Sequence, residues 1–247
     1  MTSLLSLRGL NRSFGGLAAV SDFNMELESG IVTALIGPNG AGKTTIFNLI
    51  TGNLRVDSGQ ILLQGTDITG LKPHRVARLG VARSFQDLRL FSHMSVFDNI
   101  RAATEPTSWF WQGGEGEARR KRLGRVEMAI ERAGLASVAR ARAIDLAYAE
   151  RKFLSMARVM ATGANIWLLD EPASGLDPRS RAQFVNMVRR ATTEGVTVLI
   201  IEHNLDIVTE VADRIAFLDQ GRKLAEGGAA EIMQDKALAA IYFGERV

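Results

Sequence analysis

Eight consecutive residues, Gly37-Pro38-Asn39-Gly40-Ala41-Gly42-Lys43-Thr44, fit the spacing GxxxxGK[ST] at each fixed position. At average composition this pattern arises by chance on the order of once per hundred chains of this length. Its chemistry is that of a phosphate cradle. Glycines let successive backbone N–H groups point at one anion, where side chains would block the approach. A helix opening near Lys43 adds its positive end. Lys43 brings a full charge to β- and γ-phosphates, and Thr44 offers a hydroxyl to Mg²⁺. A second set lies far along the chain. The apolar run 166–169 ends in Asp170, and Glu171 follows at once. On a parallel strand beside the cradle, Asp170 would sit near the metal, and Glu171 could take a proton from an attacking water.

The elements that must position these groups are readable in outline. The apolar run 31–36 enters the cradle as a strand, and a helix over 44–51 leaves it, with Gly52 at its end. The first thirty residues alternate weakly through Leu5, Leu7, Leu10, Phe14, Val20, Phe23, Met25 and Leu27, as short strands about a Gly15-Gly16 turn. Further strands are expected at 61–64, 81–85, 166–169 and 196–201. Helices are expected at 118–133, 149–161, 179–193 and 204–211. Ser95 would cap a helix carrying Val96, Phe97 and Ile100. A hairpin over 215–224 turns at Asp219-Gln220-Gly221, and a helical tail ends the chain. Strands alternating with helices imply an α/β fold with a mainly parallel sheet. Residues 92–162 read as a helical insert.

Composition narrows the function classes. The chain has 247 residues, room for one large domain with a subdomain. Basic residues number 30 against 27 acidic, a net charge of +3, which gives no nucleic-acid signal. With no cysteine, disulfides, thiolate metal sites and a cysteine nucleophile are excluded. No apolar stretch approaches the roughly 20 residues that span a bilayer, and no signal peptide is read at the start. The basic cluster Arg119, Arg120, Lys121, Arg122 and Arg125 reads as a solvated helix face. Trp109-Phe110-Trp111 reads as subdomain packing, with an exposed docking patch as the other reading.

Taken in order, GPNGAGKTT at 37–45, SFQDLRLF at 84–91, LAYAE at 146–150, WLLDEP at 167–172, SGLD at 174–177 and IIEHN at 200–204 resemble the ATP-binding subunits of ABC transporters. The resemblance spans essentially the whole chain. It implies a P-loop ATPase fold with a mainly parallel core sheet, an N-terminal antiparallel β subdomain and an inserted helical subdomain. Residues 1–91 and 163–247 would form the core. It implies ATP and Mg²⁺ as cofactors. Phe14 would stack on adenine, the other reading being a core phenylalanine. Pro38, Asn39, Ala41 and Thr45 would join the cradle residues in binding nucleotide. Thr44, Gln86 and Asp170 would hold the metal. Glu171 would be the catalytic carboxylate, with Lys43, Gln86 and His203 in catalytic support. Asp177 would cross a dimer interface.

A closer resemblance is to importer subunits for branched-chain or hydrophobic amino acids. It rests on RSFQDLRLF at 83–91, HMSVFDNI at 93–100, the long insert, LAYAE and the ending AIYFGE at 240–245. It implies a second ATP-binding subunit, transmembrane permease subunits and, indirectly, a periplasmic substrate-binding protein, with no nucleic acid. The chain would lie peripherally on the cytoplasmic face of the inner membrane. ATPases for urea uptake or lipopolysaccharide export, and soluble ABC ATPases outside transport, are the alternatives. One departure stands out. The family signature is commonly LSGGQ, whereas Ala147 and Ala149 stand at the serine and second glycine positions here. The resemblance puts these two residues against the partner's nucleotide, and the expectation is weakened turnover at that site.

Overall fold

The computed structural model describes residues 3–104, 115–235 and 237–238. Strands β1 (Ser3–Phe14) and β2 (Leu17–Glu28) form a long antiparallel hairpin. Gly15 and Gly16 both take positive φ (53° and 84°), the tight reversal that such a hairpin favours. β4 (Ser58–Leu63) pairs with β1, and β5 (Thr66–Asp67) with β4, so this sheet is wholly antiparallel in the order β2-β1-β4-β5.

The second sheet leads into the candidate site residues. Its strands are β3 (Val32–Ile36), β6 (Val81–Arg83), β7 (Ile166–Asp170), β8 (Thr197–Ile201), β9 (Arg214–Asp219) and β10 (Arg222–Gly228). Their order is β10-β9-β3-β8-β7-β6. The five from β9 to β6 run parallel, and β10 returns antiparallel on the edge. All residues of β3, β7 and β8 are buried, because layers cover both faces. In β8, Val198 and Ile200 face one apolar cluster, while Leu199 and Ile201 face another. The second cluster lies against the antiparallel sheet and helix α1 (Lys43–Ile50), with Phe23 and Phe47 inside it.

Between β6 and β7 run α3 (Val96–Ala102), α4 (Glu115–Arg132) and α5 (Tyr148–Ala161), which pack on one another. Their apolar residues Val96, Ile100, Val126, Ile130 and Leu154 join Trp167, Val198 and Ile200 in one continuous cluster. Ser95 caps α3, its hydroxyl accepting from the Asp98 N–H at 3.0 Å. The remaining helices are α2 (Pro73–Arg78), α6 (Pro178–Thr193), α7 (Leu205–Val211) and α8 (Ala229–Gln234).

Several boundaries differ from expectation. β6 ends at Arg83 and not at residue 85, and β8 begins at Thr197. The expected 215–224 hairpin is longer, since β10 continues to Gly228. α2 has no counterpart among the expected helices. Arg119, Arg120, Lys121 and Arg125 are exposed along α4, and Lys121 pairs with Glu117 at 2.9 Å. Trp109-Phe110-Trp111 and the ending at 240–245 lie outside the described residues. No helix among those residues is long and apolar enough to cross a membrane.

Candidate functional site

Four adjacent parallel strands, β3, β8, β7 and β6, deliver the candidate residues from their C-terminal ends. β3 runs into the Gly37–Thr44 segment, β8 into His203, β7 ends in Asp170 before Glu171, and β6 leads to Gln86. That edge is where an open parallel sheet presents ligand-binding loops.

The cradle is held from behind. A Cβ on Gly37 would lie 1.9 Å from the Leu218 carbonyl oxygen, and one on Gly42 would lie 2.4 Å from that of Ala19. Both also have positive φ, 146° and 104°. Gly40 instead faces open space, with nothing within 4 Å of a Cβ there. Ala41 is buried, Pro38 half-buried and Asn39 exposed. Lys43 is buried, and its Nζ donates to the carbonyls of Gly37 (2.6 Å) and Pro38 (2.9 Å). Burial lowers its pKa, while Glu171 and Asp170 pull it back up. Thr44 is exposed at the first turn of α1, and Thr45 is half-buried.

Asp170 is 4% exposed and ion-paired through Oδ2 to Arg83 at 3.0 Å. Its Oδ1 is buried without a hydrogen-bond partner. Burial raises the Asp170 pKa, with Arg83 opposing. Arg83 is itself anchored, donating to Asn48 at 2.6 Å and lying over the rings of Phe47 and Phe85. Glu171 takes φ +46°, a left-handed conformation that costs a non-glycine residue about 1–3 kcal/mol. Its carboxylate is clamped at both oxygens. Oε1 lies 2.8 Å from His203 Nε2, and Oε2 accepts from Gln86 Nε2 at 3.1 Å. Glu171, His203, Gln86, Asp170 and Lys43 are therefore gathered in one place.

The other expected residues fall around this centre. Phe14 is 44% exposed at the end of β1, with the Arg12 guanidinium 4.8 Å from its ring centroid, so it is not a core residue. The start of β2 lies behind the cradle, where Ala19 meets Gly42 and Gly221. Ala147 is the exposed N-cap residue of α5. It has no side-chain acceptor to offer, but its N–H donates to Glu150 Oε2 at 2.8 Å. Ala149 is half-buried against the larger apolar cluster. Asp177 caps α6, accepting from the N–H groups of Arg179 and Ser180.

The family model described as ABC transporter matches residues 20–174. The chain belongs to the ABC transporter family. The high-affinity branched-chain amino acid transport ATP-binding protein LivG of Escherichia coli is 38% identical over 98% of both chains. The corresponding protein BraF of Pseudomonas aeruginosa is 36% identical over 98% of both. Among solved structures, a nucleotide-free ATP-binding cassette from an ABC transporter superposes with a TM-score of 0.87 at 27% identity, covering 98% of this chain and 99% of that one. The ADP conformation of MJ1267, another such cassette, gives the same score at 27% identity, covering 99% and 100%. As an ABC ATPase the chain binds nucleotide. The sequence reading gave no individual role to three residues beside its site: Arg83, Lys152 and Glu202. Lys152 falls on the buried stripe of α5 with Ser155, Met156 and Val159, which was the available signal.

Proposed function

We propose that this ABC ATPase powers import of branched-chain or related amino acids. The identity to LivG and BraF along nearly the whole chain supports the substrate class. The doubly clamped carboxylate of Glu171, in the same centre as Lys43, supports hydrolysis as the reaction. In this reading the N–H groups and open Gly40 of the cradle receive the phosphates, and Phe14 takes the adenine. Lys43 exchanges the carbonyls of Gly37 and Pro38 for phosphate oxygens. Glu171 accepts the proton of the attacking water, and Gln86 and His203 hold its carboxylate in line.

Mg²⁺ fits the residues present. The unpartnered Oδ1 of Asp170 is an available acceptor. Thr44 and Gln86 supply neutral oxygens. No cluster of three acidic or histidine ligands occurs among the described residues, as suits a cation held mainly by phosphate and water. Bound there, the cation would neutralise charge on the leaving phosphates.

The further assignments follow the same reading. A second ATP-binding subunit closes the site with its signature. Permease subunits receive the motion through the helices of 92–162, and a periplasmic protein delivers substrate to them. The chain sits on the cytoplasmic face of the inner membrane, with 1–91 and 163–247 as core. The deciding experiment is Glu171→Gln. It is expected to keep ATP binding while hydrolysis falls by on the order of 10²- to 10⁴-fold. Undiminished turnover would overturn the role. Vesicles carrying the assembled complex should accumulate leucine only with ATP inside the compartment that this subunit faces.

A further inference from the structure

The turn that carries Glu171 is gripped from α5. A residue with a side chain holds a left-handed conformation only where its surroundings over-determine it. Glu171 is tied at both backbone groups. Its N–H donates to the Ile201 carbonyl at 2.9 Å, and its carbonyl accepts from Lys152 Nζ at 2.8 Å. Lys152 is only 5% exposed, a rare state for lysine. Two residues on, the Ala173 N–H donates to Glu202 Oε1 at 2.9 Å, and Glu202 is 2% exposed. A buried ammonium and a buried carboxylate thus hold the backbone on either side of Pro172. One turn before Lys152, the Tyr148 hydroxyl donates to the Ser174 carbonyl at 3.1 Å. Helix α5 meets the 171–174 turn at two points.

We propose that Lys152 is a positioning residue for Glu171: its hydrogen bond to the Glu171 carbonyl fixes the backbone twist that aims the carboxylate at Gln86 and His203. The inference rests on hydrolysis with Glu171 as the base. A misplacement of about 1 Å costs a reaction on the order of 100-fold. The competing account is that Lys152 only neutralises Glu202. Because Lys152 stands one turn into the helix that begins with the signature, any shift of that first turn reaches this chain's own Glu171.

The test uses the full chain assembled with its companion subunits. Glu202→Gln removes the charge partner but keeps an acceptor for Ala173. It is expected to hydrolyse ATP at close to the wild-type kcat. Lys152→Met/Glu202→Gln removes both buried charges. It is expected to keep the wild-type KM and ATP affinity while kcat falls about 10- to 100-fold. Lys152→Arg, which keeps a donor, is expected to recover most of that loss. Wild-type kcat in the double variant, or a loss in Glu202→Gln alone equal to that in the double variant, overturns the proposal. So does a raised KM at unchanged kcat. If instead Glu171→Gln hydrolyses as fast as wild type, it is the functional reading that fails.

Discussion

Lys43 directs two hydrogen bonds to carbonyls of its own loop. Replacing it with alanine leaves those oxygens unpaired and removes the only lysine charge in the motif. Lys43→Ala is expected to weaken ATP binding by at least about tenfold, readable in a fluorescent-nucleotide titration. Arg83 works differently, since it and Asp170 are both almost wholly buried. Arg83→Met would strand the Asp170 carboxylate without its counter-charge. A loss of about 3–5 kcal/mol in denaturant unfolding is expected. These two residues also mark what was legible. Lys43 belongs to a motif whose spacing has one chemical meaning. Arg83 stands among residues that carry no spacing rule, and its worth comes from Asp170, 87 positions away in sequence. Phe14 sat between two readings, adenine platform and core residue, and its exposure removes the second.

At the scale of elements, Glu202 gives the β8 end a pH dependence. Burial lifts its carboxyl from 4.5 to about 7. Between those values the folded protein retains a proton that the unfolded chain releases. Raising the pH through that window therefore erodes stability, and the loss is complete above about 7. Glu202→Gln is expected to flatten this slope, read as a Tm that no longer falls as the pH is raised through that window. The strands were legible wherever both faces are covered, because dense apolar runs such as those of β3, β7 and β8 result. Helix α2 was not, since only Val76 of its six residues is buried and no periodicity can show. β6 ends at Arg83, whose side chain reaches Asp170 and Asn48, and the Arg83 and Arg89 guanidinium groups both lie over the Phe85 ring.

At the scale of the molecule, the signature residues stand at the start of α5, among the contacts of Tyr148 with Ser174 and Gly175. A second subunit is what brings them to a nucleotide in the proposed assembly. Ala147 is exposed there, while the Ala149 methyl is partly absorbed by the apolar cluster. Restoring the commoner residues with Ala147→Ser/Ala149→Gly is expected to raise steady-state hydrolysis of the assembled complex severalfold, with ATP affinity of the isolated chain unchanged. Unaltered turnover would show that the helix end and its N–H groups already suffice. The joint cluster of α3–α5 with the β7 and β8 face bears on how force can travel. Among the described residues, the helices of this segment share their dry interior with the catalytic sheet, so they have no independent existence as a lever. They can slide or tilt by small amounts, but prying them loose would wet the hydrocarbon that holds the engine block itself together.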